Sequence, residues 1–321
     1  MARPIAKPAH APARNRRRQR PSFSLLRTAL FAALVAACVF AAPELLSAFR
    51  THSPGLVAAP TLASGTVAEQ LSVGGLEAGA CMSFAPAASR ETKTVFIDPG
   101  HGGLDPGVVG QVEGQTVLEK DATLAVSTRL AALLESDGYR VVMSRTRDSS
   151  VTIVSATDSV YGSLTASAEH RDLVTRAACA NAANAAALLS IHFDAFADPS
   201  VGGTETFYDA ARSFAGDNKL LASDVQASLV AALGTSDRGV WSDDQLVAPT
   251  LTSTGSTYGH LIELGPPEAG WVDDPSKMPG ALTEPLFLTN ATEARVASSP
   301  SGQERIAVAL RDGLEKYLSA V

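Results

Sequence analysis

The sequence predicts an α/β protein: a single domain with a mostly parallel central sheet flanked by helices, preceded by an export signal or anchor and a flexible linker. Three observations carry this. From Lys93 onward, short apolar runs alternate with stretches of helical apolar spacing, the pattern of strand–helix units whose sheet is covered on both faces. Residues 1–42 pair a basic start with a short apolar run, and residues 43–91 are rich in Ala, Ser, Gly and Pro without periodicity. With 321 residues, 45% of them hydrophobic, the chain can bury a sizeable core in residues 92–321.

In residues 1–42, Arg16-Arg17-Arg18 precedes the apolar stretch Thr28–Ala42. That reads as an export signal, placing the protein in the cell envelope or outside the cell. The run is short for a membrane span, which takes about 20 apolar residues; extended through Leu45-Leu46 it would serve as an uncleaved anchor. Val35-Ala36-Ala37-Cys38 also resembles a lipidation box with Cys38 as acceptor. Cleavage, anchoring and lipidation all remain open. Residues 1–50 hold nine Lys/Arg and one acid, Glu44, so the remainder has 17 basic and 32 acidic side chains, a net of −15. An acidic body argues against nucleic acid as partner.

The element expectations follow in order. Thr94–Ile97 reads as a buried strand running into a Pro/Gly turn. Glu119–Asp137 has apolar residues at Ala122, Val126, Leu130, Leu133 and Leu134 and reads as a helix stopped by Gly138. Tyr139–Ser144 reads as a strand, 148–168 as a loop, Arg171–Ala185 as a helix and Ala187–His192 as a strand. Thr204–Tyr208, Leu261–Leu264 and Ala281–Leu288 are further expected strands, and Phe214–Leu233 and Gln303–Leu318 further helices.

The chemistry gathers around Asp98-Pro99-Gly100-His101-Gly102-Gly103, an imidazole on a tight turn at a strand end, the edge where open α/β sheets build sites. Glu119 opens the next helix and His192 ends a later strand. Two histidines and one carboxylate are a zinc ligand set that leaves a fourth position for water. Each also has a plainer reading: a first-turn acid for Glu119, a core histidine for His192. Six His and three Cys are too few for a cysteine-built zinc site or a disulfide-dense scaffold. There is no Gly-x-Ser-x-Gly elbow and no phosphate loop. Cys81 and Cys179 are available to pair oxidatively after export.

The run Phe96–Gly103, Glu119-Lys120, Arg176 with Ala180-Asn181, and Ser190-Ile191-His192 resembles the successive motifs of zinc-dependent N-acetylmuramoyl-L-alanine amidases. Gly203–Tyr208, Arg238-Gly239-Val240, and Met278-Pro279 through Phe287-Leu288-Thr289-Asn290 extend the resemblance over about residues 93–320. It implies one Zn²⁺ held by His101, Glu119 and His192, and hydrolysis of the amide joining muramic acid to the peptide stem of peptidoglycan. The partners it implies are peptidoglycan or its fragments and, through an uncleaved or lipidated N-terminus, the membrane.

A second glutamate is needed to take and return a proton. Glu263, in Ile-Glu-Leu-Gly, and Glu284 are the candidates, and the flanking Met278-Pro279 and Phe287–Asn290 favour Glu284 by resemblance. Two departures stand out: Pro285-Leu286 replaces an apolar-Gly pair, and Asp194 replaces a common Asn. Asp98 and Asp121 are candidate partners for metal-bound imidazoles, the Gly102-Gly103 turn a candidate oxyanion donor, and Arg176 either a substrate-carboxylate clamp or a structural residue. Two other functions compete: another zinc wall peptidase of carboxypeptidase type, and a non-catalytic wall-binding or regulatory protein.

Overall fold

The computed structural model describes residues 68–87, 93–245, 250–251 and 257–321. The expected signal or anchor of residues 1–42, Cys38 included, lies outside the described residues.

The strands in chain order are β1 (Glu69–Gln70), β2 (Ala80–Phe84), β3 (Thr94–Pro99), β4 (Val109–Val112), β5 (Gln115–Leu118), β6 (Arg140–Arg145), β7 (Ser159–Val160), β8 (Ser163–Leu164), β9 (Ala187–Ile191), β10 (Thr204–Tyr208), β11 (Asp237–Ser242), β12 (Thr250–Leu251), β13 (Thr257–Tyr258) and β14 (Gly280–Glu284). The helices are α1 (Glu119–Ser136), α2 (Ala166–Ala183), α3 (Ala215–Leu233), α4 (Ala291–Ser298) and α5 (Pro300–Ala320). Eight strands form one sheet in the order β1-β2-β6-β3-β9-β14-β10-β11. Its centre, β6-β3-β9-β14, is parallel, as is β10-β11; β14-β10 and the β1-β2-β6 edge are antiparallel. Strands β4-β5, β7-β8 and β12-β13 are separate antiparallel pairs.

Alternation along the central strands divides the core. Val95 and Ile97, Val141 and Met143, and Ala187, Leu189 and Ile191 face one side, packed with Val126, Leu130 and Leu134 of α1, Leu221, Val225 and Leu229 of α3, and Ile306, Leu310 and Leu314 of α5. Phe96, Val142 and Leu188 face the other side, with Cys179 and Ala180 of α2 and with Leu264 and Met278. Each fully buried aliphatic side chain contributes about 1.5–3 kcal/mol. The last two helices carry their own start signals: Asn290 accepts from the backbone N–H groups of Thr292 and Glu293, and Ser299 accepts from Gly302 N–H with Pro300 at the first helical position.

The structure corrects several sequence expectations. Residues 69–84, read as linker, supply β1 and β2, and β2 pairs with β6 in the main sheet. Leu261–Leu264 is a turn closed by Leu264 N–H and Gly265 N–H donating to Leu261 O, not a strand. The strand expected over Ala281–Leu288 stops at Glu284, because Pro285 has no N–H to continue a ladder. The 148–168 loop contains the β7-β8 pair, and its helix begins at Ala166. A disulfide joins Cys81 of β2 to Cys179 of α2 across 98 residues, with Cα atoms 5.6 Å apart. Cys81 has φ of 53°, and this kink turns both Ala80 and Cys81 toward α2. No helix among the described residues is long and apolar enough to cross a membrane.

Candidate active site

Sheet register builds the site. Asp98 of β3, Ser190 of β9 and Leu282 of β14 lie side by side on the α2 face. Two residues further on, and so on the same face, come Gly100, His192 and Glu284. Glu205 of β10 sits opposite Glu284. Gly100 has no alternative: a Cβ there would enter the His192 ring. His101, next in the chain, has φ of +61°, a left-handed conformation uncommon for a residue with a side chain.

Two buried arginines hold that turn. Arg145 donates to the carbonyls of Pro99 (3.0 Å), Gly100 (2.9 Å) and Lys120 (2.8 Å). Arg176 donates to Pro99 O (2.9 Å), His101 O (2.7 Å), Asp98 Oδ1 (2.7 Å) and Asp172 Oδ2 (2.9 Å). Burial presses the Arg145 guanidinium down to about 10, with the Arg176 charge adding to the fall. For Arg176 burial acts the same way, but Asp98 and Asp172 reverse it and raise the group. Arg176 is thus occupied as a clamp on the histidine turn, the structural one of its two expected roles.

His101, Glu119 and His192 converge. His101 Nε2 lies 3.0 Å from Glu119 Oε1, and His192 Nδ1 lies 3.1 Å from both. These atoms form a three-ligand group able to hold a metal ion. Glu119 is buried; its Oε2 accepts from Val108 N–H (2.7 Å) and its Oε1 from Phe193 N–H (2.8 Å), so its aim is fixed by backbone. Gly107 passes so close that a Cβ would press on Glu119 and His101. His101 Nδ1 meets Asp105 Oδ2 at 2.7 Å, which leaves Nε2 for the centre. Burial works to lower the His101 imidazole, but the Glu119 charge and the hydrogen bonds to Asp105 and Glu119 push it up to about 10. Burial works to raise Glu119, but the His101 charge and hydrogen bonds to both histidines hold it below the usual range. The centre therefore attracts positive charge. Zinc bonds to nitrogen and oxygen of about 2.0–2.2 Å suit ligand atoms at this spacing, so the residues fit the ion.

Glu284 ends β14 with Oε2 buried and without a hydrogen-bond partner. Burial, then the like charges of Asp194, Glu119 and Glu205, raise its carboxyl well above the ordinary value. Glu263 also has a buried oxygen without a hydrogen-bond partner and lines the cavity beside the histidines, but its charged neighbours are Asp98, Arg176 and Asp172 rather than Glu119. Asp194 hydrogen-bonds Glu205 and is pushed up to about 8, chiefly by burial. A cavity of about 190 Å³ opens beside His101 and His192, walled by Leu173, Leu261, Ile262, Leu264 and Leu282.

Other expected roles move. Asp98 binds Arg176 and Ser190 Oγ (2.8 Å), and Asp121 is exposed, so the partner of His101 is Asp105, which sequence reasoning missed. Its signal was available: an acid four residues after the histidine within the same glycine turn. The Gly102 N–H donates to Asp105 O and the Gly103 N–H to Asp148 Oδ1, so neither is left for an oxyanion.

An α/β sheet with this cluster at its strand ends is the scaffold of a hydrolytic enzyme. The N-acetylmuramoyl-L-alanine amidase family matches residues 95–316, and the chain belongs to that family. It is a peptidoglycan amidase. The chain is 33% identical over 244 residues to the uncharacterized protein YqiI of Bacillus subtilis, covering 74% of this chain and 93% of that one. It is 32% identical over 225 residues to the amidase LytC of the same organism, covering 70% of this chain but 35% of LytC. The CwlD amidase of Clostridioides difficile, solved in complex with the GerS lipoprotein, matches with a TM-score of 0.57 and 29% identity, covering 72% of this chain and all of that one.

Proposed function

We propose that this amidase is zinc-dependent, with His101 Nε2, Glu119 Oε1 and His192 Nδ1 as ligands and Glu284 as the catalytic acid–base. The observation that carries the reading is the meeting of those three atoms at 3.0–3.1 Å, with His192 in the same row as a glutamate whose buried oxygen has no partner. When bound, the ion supplies an activated water and polarises the scissile carbonyl. The chain's residues do the rest. Glu284 accepts the proton as water oxygen attacks the carbonyl carbon of the muramyl lactyl group. It returns that proton to the L-alanine nitrogen as the C–N bond breaks, leaving a carboxylate and a free amine. A glutamate beside the water takes the proton as carboxylate and gives it back as carboxylic acid. The apolar-walled cavity beside the histidines receives the stem peptide.

We further propose that residues 1–42 export the protein and, where uncleaved or lipidated, tether it to the membrane. The working site is then the cell envelope, and residues 43–67 act as linker. Its substrate is peptidoglycan or its fragments.

The test digests purified peptidoglycan with the full chain and reads the released fragments by mass. Free stem peptide beginning at L-alanine is expected, lost on chelation and restored by Zn²⁺. Glu284→Gln is expected to lower kcat/KM by about 10²–10⁴-fold with metal content unchanged. Stem release that persists through chelation, or full activity in Glu284→Gln, would overturn the assignment.

A further inference from the structure

A second cluster lies at the other end of β10. Glu205 near its start faces Glu284, whereas Asp209 follows its last residue, four residues along or about 13 Å away. Strand β11 runs parallel with Tyr208 paired to Ser242, so Asp243 follows in step with Asp209. His260 follows the end of β13. Three strand ends thus deliver two aspartates, both with no exposed surface, and one histidine. His260 Nδ1 lies 2.8 Å from Asp209 Oδ2 and 3.3 Å from Asp243 Oδ1. These atoms lie within 4.8 Å of one another and form the other three-ligand group among the described residues.

The two carboxylates are oriented alike. Asp209 Oδ1 accepts from the N–H groups of Ala211 (2.7 Å) and Arg212 (2.9 Å), and Asp243 Oδ2 accepts from Leu261 N–H (3.0 Å). Each acid has one oxygen fixed by backbone and the other turned to the centre, as supporting hydrogen bonds orient metal ligands. Asp209 Oδ2 is buried without a hydrogen-bond partner and lies 2.8 Å from His260 Nδ1 as an ion pair, while that nitrogen hydrogen-bonds Asp243 Oδ1 at 3.3 Å.

We propose that Asp209, Asp243 and His260 form a second, structural site for a divalent transition cation, of the Zn²⁺ or Mn²⁺ class that one imidazole and two carboxylates suit. Its consequence reaches the cavity. Leu261, held to Asp243, begins the turn whose Leu261, Ile262 and Leu264 wall the space beside His101 and His192. An ion here ties that wall to the ends of β10 and β11.

The test equilibrates the full chain with Zn²⁺ or with Mn²⁺, removes loosely held ion and measures metal per chain by elemental analysis. The decisive comparison uses His192→Ala, which alters the other centre alone, and His260→Gln and Asp243→Asn, which alter this one, each checked for native circular dichroism. One equivalent that survives His192→Ala and disappears in His260→Gln and Asp243→Asn is the expected result, whatever the other centre holds. Should the last two variants not fold, Co²⁺ titration of His192→Ala leaves this cluster intact, and saturable visible ligand-field bands at one equivalent are expected. No ion in His192→Ala with either metal, or an equivalent retained in His260→Gln, would overturn the proposal and leave an imidazole bridging two acids.

Discussion

At the scale of single residues, the centre depends on groups that never touch the cluster's middle. Asp105 fixes which nitrogen of His101 is offered, because its Oδ2 occupies Nδ1 at 2.7 Å while its Oδ1 accepts from Gly107 N–H at 3.0 Å. Asp105→Asn keeps the shape and the Gly107 bond but removes the charge. It is expected to weaken zinc affinity about 10–100-fold, read by competition with a chromogenic chelator. Unchanged affinity would mean the imidazole is oriented by its turn alone. His101, Glu119 and His192 were legible through the resemblance of the successive motifs that carry them, since their spacing alone also suits a first-turn acid and a core histidine. Asp105 was not, since an acid in a glycine-rich turn has many ordinary uses there. Nor was Arg145: an arginine closing an apolar strand reads as exposed, and only the fold turns three carbonyls toward it.

At the scale of elements, the strand–helix alternation was legible because long amphipathic helices and buried parallel strands carry strong periodic signals. What escaped was short or misleading. β1 and β2 are brief and lie in a stretch of small residues that also suits a linker. The Leu261–Leu264 run is apolar because it walls a cavity, and periodicity cannot separate that from a strand. The arginine clamp works between elements, since Arg176 on α2 grips the end of β3 and the turn beyond it. Arg176→Met should cost about 3–5 kcal/mol, since it leaves Asp98 and Asp172 buried without their counter-charge. Equilibrium denaturation measures this. A loss under 1 kcal/mol would show that Ser190 and the backbone alone satisfy Asp98.

At the scale of the whole molecule, the Cys81–Cys179 bridge ties the antiparallel edge of the sheet to the helix layer that carries Arg176. Loop closure over 98 residues limits the unfolded chain, an effect of about 4–5 kcal/mol in the entropic treatment and more often about 2–4 when measured. Such a bridge persists only in an oxidising compartment, which agrees with the proposed export. The Cys81→Ser, Cys179→Ser double variant should therefore fold and cleave peptidoglycan at 25 °C. Both cysteines lie in the buried cluster on the α2 face and neither borders the catalytic cavity. Its melting midpoint should fall by roughly 5–15 °C, given about 2–4 °C per kcal/mol for a domain of this size. The wild-type chain should show the same fall on reduction, and the double variant none. An unchanged midpoint in the double variant would assign the edge's stability to strand pairing between β2 and β6 alone. Lost activity at 25 °C would mean instead that β2 and α2 must be locked together for the histidine turn to hold its shape.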